Sequence, residues 1–160
     1  MFAVTLICVG KLKEKFYLAA SEEYAKRLRG YVDFTLIELP ETRLPDDPSP
    51  AQIAQGLAKE AELIRARIPK GAWFCVLTPE GTQLSSEELA AALASVKGSG
   101  RSAACFLIGS SFGMDPSLKQ LADRKLSMSK RTFPHHLARV MVLEQLYRAE
   151  SIQAGTKYHK

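Results

Sequence analysis

The densest collection of reactive side chains lies in the last part of the chain. Residues 126–136 read LSMSKRTFPHH, placing two cations, two histidines, an aromatic ring and a proline among small polar residues. A loop that only joins two elements has little use for that mixture, whereas a loop that holds a ligand does. His135 is followed by Arg139, Glu144 and Arg148, and the sequence ends Tyr158-His159-Lys160. Glu144 and Arg148 form an i, i+4 pair and share a face on a helix; Arg139 and Glu144, five apart, do not stack. Alone, such a pair is an ordinary surface ion pair worth a few tenths of a kcal/mol. A terminal aromatic ring, histidine and lysine suit a stacked base and its phosphate, although termini usually fray.

A second candidate is Gly109-Ser110-Ser111-Phe112-Gly113, which follows an apolar run. It is neither a dinucleotide fingerprint, since GxGxxG is absent, nor a phosphate loop, since no Gly-Lys-Ser/Thr follows. It offers hydroxyls and a backbone that a ligand can approach closely.

Charge points to an anionic partner. The chain carries a formal +5, and from Arg124 onward it holds eight basic residues against two acids, with all three histidines. A polyphosphate backbone is the commonest partner for such one-sided charge. Cys8, Cys75 and Cys105 are scattered inside apolar segments, which predicts buried thiols in a reducing cytoplasm and no metal site. No apolar run nears the roughly 20 residues of a membrane span, so no membrane partner is expected.

Alternating strands and helices must position these groups. The patterns predict strands at 2–9, 33–39, 73–78, 103–109 and 126–129, and helices at 14–29, 51–67, 86–97, 116–123 and 135–151. Phe16, Tyr17, Ala20, Tyr24 and Leu28 form the expected apolar stripe of the first helix, and Gly30 follows it as a C-cap. Ser85 and Glu88 give a capping box. Residues 40–50 hold four of the eight prolines and read as a mobile loop. The expectation is one domain over 1–160: an α/β fold with a parallel-type sheet and helices on both faces. Ligands of such sheets sit at the carboxyl ends of strands, here after Leu77, Ile108 and Met128.

These residues carry a resemblance. FLIG at 106–109, LSMSKRTFPHHLARVMVLEQLYRA at 126–149 and the terminal YHK closely resemble the RlmH family of SPOUT methyltransferases, as does the opening VGKLKEKFYLAASEEYAKRL. The resemblance implies a C-terminal deep trefoil knot, which ordinary topology rules exclude. It implies a homodimer using S-adenosylmethionine to methylate N3 of a pseudouridine in 23S rRNA of the assembled 70S ribosome. Carried over, the cofactor positions are Leu77, Gly109, Met128, Ser129, Lys130, Arg131, Thr132 and Phe133. The acceptor-side positions are His135, Arg139, Glu144, Arg148, Tyr158 and His159.

Transfer to N3 requires positioning and loss of the N3 proton. In this reading His159 is the base, Arg148 or Arg139 stabilises charge developing on the ring, Glu144 orients Arg148, and Tyr158 stacks on the base. Three readings compete: a non-catalytic RNA-binding module, suggested by Ser110, which stands where the resembled family usually carries a second glycine and where a positive φ would cost about 1–2 kcal/mol; a flavodoxin-type domain, disfavoured by a first turn, Gly10-Lys11-Leu12-Lys13, that lacks a hydroxyl cluster; and a methyltransferase acting on another ribosomal or transfer RNA site.

Overall fold

Two buried strands whose alternate residues face opposite ways build the centre of the sheet. β1 (Ala3–Val9) and β4 (Ala103–Ile108) pair in parallel, from Ala3 opposite Ala103 to Cys8 opposite Ile108. The computed structural model describes residues 1–160. β2 (Asp33–Leu39) lies beside β1, β3 (Trp73–Gln83) beside β4, and β5 (Arg124–Ser127) outside β3. The order is therefore β2-β1-β4-β3-β5, with every pairing parallel.

The helices are α1 (Lys15–Leu28), α2 (Pro50–Arg65), α3 (Ser86–Gly98), α4 (Pro116–Leu121) and α5 (His135–Gln153). Because side chains alternate along a strand, each strand feeds two cores. Val4, Leu6 and Cys8 with Ala104, Phe106 and Ile108 pack under α1, α3 and α5. Ile7 and Val9 with Cys105 and Leu107 pack under α2 and α4. Both faces are thus covered, as a parallel sheet requires.

Several elements differ from their sequence patterns for identifiable reasons. The buried residues of α1 are Ser21, Ala25 and Leu28, while Phe16 is 67% exposed. Small side chains at Ser21 and Ala25 admit α5 at close range, so bulk alone misplaces the stripe. β3 continues to Gln83: the register with β5 breaks between Leu77 and Thr82, then resumes. Residues 78–81 leave the sheet there, and Gly81 lies flush on β5, where a Cβ would come within 2.6 Å of the Leu126 backbone. β5 begins two residues earlier than its apolar run suggests, at Arg124. The proline-rich segment is irregular as expected, but it is fastened: the Thr42 N–H donates to Glu60 at 2.7 Å and its hydroxyl donates to the Gly56 carbonyl. Its end starts α2, where Ser49 and Gln52 form a capping box ahead of Pro50. The Ser85–Glu88 capping box forms as the sequence predicts.

All three cysteines are free and buried, and burial pushes each thiol up to about 12. A thiol so far above its ordinary range holds little thiolate. The folded protein is therefore expected to resist alkylation in mildly alkaline buffer and to take up three equivalents in denaturant. Labelling of the native protein, read by mass spectrometry, would contradict this.

Candidate active site

The three loops singled out in the sequence converge at the carboxyl edge of the sheet. They line a cleft of about 930 Å³, a size typical of small-molecule sites. Leu77 and Thr78 come from the break in β3, Gly109 to Gly113 from the end of β4, and Met128 to His136 (with Lys130 turned away) from the passage between β5 and α5. The backbone forces the glycines. Ser110 N–H donates to the Gly113 carbonyl at 3.0 Å and Gly113 N–H donates back at 2.9 Å, closing a tight turn. Gly113 has φ +91°, and a Cβ on Gly109 would sit 2.3 Å from the Gly113 oxygen. Ser110 escapes strain, since no non-glycine residue has positive φ. The Thr78 hydroxyl is buried beside the Glu80 carboxyl. At the rim Lys119 donates to Glu80 at 2.6 Å, which holds that carboxyl down to about 2.

A second cavity of about 510 Å³ adjoins the first and shares Ser127 and Met128 with it. Its far side includes Glu144, which leads to a cluster built from α5 and the terminal tail. Arg148 donates to Glu144 through Nε at 2.8 Å and Nη2 at 2.5 Å. The Tyr158 hydroxyl donates to the same carboxylate oxygen at 3.1 Å, and the Arg148 guanidinium lies 4.7 Å from the Tyr158 ring centre. His159 lies between Arg148 (Nη1 to Nδ1, 3.1 Å) and Glu87 (Oε1 to Nε2, 2.6 Å). A guanidinium can only donate and a carboxylate only accept. His159 is therefore the tautomer with hydrogen on Nε2 and its lone pair on Nδ1 directed at Arg148. Burial, reinforced by Glu144, pushes Tyr158 up to about 12, so its hydroxyl stays protonated at neutral pH.

A cleft of this kind at the carboxyl edge of a parallel sheet is shared by many folds, and comparison decides between them. A family model described as "Predicted SPOUT methyltransferase" matches residues 2–159. The chain belongs to the SPOUT methyltransferase family. A Moorella thermoacetica protein named Ribosomal RNA large subunit methyltransferase H is 44% identical over 160 residues, covering all of both chains. A Bifidobacterium adolescentis protein of the same name is 45% identical over 157 residues, 98% of this chain and 99% of its own. Among solved structures, a probable methyltransferase from Bordetella pertussis Tohama I superposes with a TM-score of 0.54 at 15% identity, over 92% of this chain and 95% of that one. A probable methylase family protein from Haemophilus influenzae Rd KW20 gives 0.52 at 13% identity, over 99% and 70%. These two likenesses concern the fold.

The SPOUT chain gathers most of the residues named from sequence, in two groups. Leu77, Gly109, Met128, Ser129, Arg131, Thr132, Phe133 and His135 line the cleft, whereas Lys130 is exposed outside its lining. Glu144, Arg148, Tyr158 and His159 meet in the tail cluster. Arg139 joins neither group: it is 2% exposed and donates to Glu38 at 2.5 Å and to the Gly10 carbonyl at 2.9 Å. Sequence reasoning missed Glu87 and Glu38. They stand 72 and 101 residues from their partners, and no local spacing announces such pairs.

His135 yields a pH prediction. Burial, then the neighbouring His136, lowers its pKa below the ordinary imidazole value. As pH falls through that value (about 6.5), the unfolded chain takes up the proton first, so stability is full above it and declines below. The thermal midpoint of this SPOUT protein should drop between roughly pH 7 and pH 5, and His135→Asn should drop less over that interval. Parallel curves for the two proteins would contradict the assignment.

Proposed function

We propose that this protein transfers a methyl group from S-adenosylmethionine to N3 of a pseudouridine in 23S rRNA of the assembled 70S ribosome, acting as a cytoplasmic homodimer. The observation that carries the reading is the tail cluster, in which Glu144, Arg148, Tyr158 and His159 converge although the sequence separates them by up to 15 positions. The full-length relatives named Ribosomal RNA large subunit methyltransferase H support the acceptor class. No helix is long and apolar enough to cross a membrane. The deep knot belongs to this proposal, with the 128–134 passage as the segment that threads it.

The cleft suits the donor by its chemistry. Leu77, Met128 and Phe133 offer apolar faces for a purine, the Thr78 and Ser129 hydroxyls offer polar contacts, and the Gly109–Gly113 turn brings backbone groups to the surface. When bound there, a sulfonium supplies an electrophilic methyl carbon: the N–C bond forms as the C–S bond breaks and its electrons pass to sulfur. N3 attacks only after losing its proton, and the tail cluster governs that loss. In the free protein the Nδ1 lone pair of His159 is occupied by Arg148. Docking of the base exchanges this bond: Arg148 turns to the carbonyl oxygen flanking N3, where negative charge develops, and frees Nδ1 to accept the proton. Glu87 keeps hydrogen on Nε2, so that Nδ1 is the basic nitrogen. Tyr158, held by Glu144, presents a ring on which the base stacks.

The test is transfer of labelled methyl from S-adenosylmethionine to ribosomes whose rRNA lacks the modification. Naked rRNA and ribosomes lacking the pseudouridine serve as controls. Label on unmodified ribosomes that disappears without the pseudouridine is the expected result. Label on naked or transfer RNA instead would assign another acceptor to the same chemistry. Ser110 carries no positive-φ strain, which supports a loop competent to bind the donor, and equilibrium titration with S-adenosylmethionine separates the enzyme from a non-catalytic module.

A further inference from the structure

The opening of the chain contains a charged and aromatic patch that neither the cleft nor the tail cluster uses. The segment that runs from the end of β1 into the first turn of α1 reads Gly10-Lys11-Leu12-Lys13-Glu14-Lys15-Phe16-Tyr17. Leu12 is buried and anchors it, while Lys11, Lys13 and Lys15 are all exposed. None of the three ammonium groups pairs with a carboxylate. The one acid among them, Glu14, turns to His136 at 3.7 Å. Phe16 stands among these lysines and is 67% exposed, its ring 4.4 Å from that of Tyr17. A large aromatic ring left in water beside unpaired cations is unfavourable in a free protein and favourable against a strand of nucleic acid.

Position gives the patch its meaning. It follows β1 at the carboxyl edge of the sheet, the edge that carries the cleft. Glu14 and Tyr17 both reach His136, which lines the cleft. Lys130 and Arg131, on the passage into α5, add unpaired cations at that edge.

We infer that the β1–α1 segment is a second RNA-binding element, in which Lys11, Lys13 and Lys15 hold phosphates of the strand carrying the acceptor nucleotide and Phe16 stacks on an unpaired base of that strand. The inference rests on the proposed RNA substrate and adds a surface whose lysines and phenylalanine belong to neither the cleft lining nor the tail cluster. Phosphate contacts by surface lysines set affinity and salt dependence, whereas a stacked ring contributes at every salt concentration.

The test compares wild type, the triple variant K11Q/K13Q/K15Q and F16A in binding to unmodified ribosomes at several salt concentrations. Donor affinity, thermal midpoint and mass by light scattering are measured alongside. The expected result for the triple variant is a log–log salt slope shallower by about 2, at roughly 0.7 per phosphate. F16A should weaken ribosome binding on the order of tenfold at every salt concentration with the slope unchanged. Donor affinity and thermal midpoint should match wild type in both. An unchanged slope in the triple variant overturns the inference. So does a change of mass in F16A, which would show that a second copy of the chain covers this face. In either case wild type still methylates and binds ribosomes with a steep salt slope, so the proposed function stands; if wild type itself neither binds nor methylates, both fall together.

Discussion

Arg148→Ala is expected to lower the methyl-transfer rate constant by about 10²–10³ while donor affinity stays at the wild-type value, because a positioned donor at a developing charge contributes on that scale. Donor affinity should hold because Arg148 lies outside the cleft lining. The rate should fall because this guanidinium meets three other members of the cluster: it donates twice to Glu144 and once to His159, and it lies over the Tyr158 ring. The sign of the effect is informative. If the arginine only occupied the His159 lone pair, its removal would free the base and raise the rate; if it also stabilises charge on the ring, the rate falls. Arg148→Lys should recover only part of the loss, since an ammonium cannot span Glu144 and His159 as the planar fork does. Single-turnover rates at saturating ribosomes, with donor affinity measured separately, check both variants. The alkaline limb of the rate should not come from Tyr158, because burial and Glu144 push that hydroxyl up to about 12. Tyr158→Phe should therefore change the rate and leave the limb in place.

The sequence discloses what is local. β1 and β4 are legible because short apolar runs bounded by turn residues have few alternatives, and Ser85 with Glu88 marks a helix start by chemistry alone. The three cleft loops follow from the rule that ligands sit at the carboxyl ends of parallel strands. Misreadings occur where a distant partner overrides a local signal. Pro79 and Gly81 look like the end of a strand, yet β5 approaches Gly81 so closely that β3 resumes beyond it. Phe16 looks like a core residue by its bulk, but Ser21 and Ala25 are what α5 can approach. Pro50 looks like part of a loop, although proline in the first helical turn is favoured once Ser49 caps it. Strand order lies beyond any pattern: β1 beside β4, a hundred residues on, follows from the packing of the whole chain.

Arg139 tests this boundary between local and distant most sharply. It lies on the same helix as Arg148, nine residues earlier, which at 3.6 residues per turn places the two about 180° apart. Arg148 turns toward the tail cluster, whereas Arg139 turns into the molecule and joins Glu38, at the end of β2, and Gly10, just past β1. It thereby ties the start of α5, with its cleft-lining His135 and His136, to the ends of two strands. Arg139→Ala should destabilise the fold by about 1–3 kcal/mol, the usual effect of stranding an acceptor such as the Gly10 carbonyl, since the Glu38 carboxylate is 31% exposed and regains water. In a chain of this length that is a fall in thermal midpoint of roughly 2–12 °C. Arg139→Met, which keeps most of the volume, should fall less, and Glu38→Gln combined with Arg139→Met should recover part of the loss if the two groups are coupled. Donor affinity should decline with stability in this series, while the rate at saturating donor and ribosomes should stay within a few-fold of wild type. The opposite pattern, a large loss of rate at an unchanged midpoint, would place Arg139 beside Arg148 in the chemistry despite the half-turn between them.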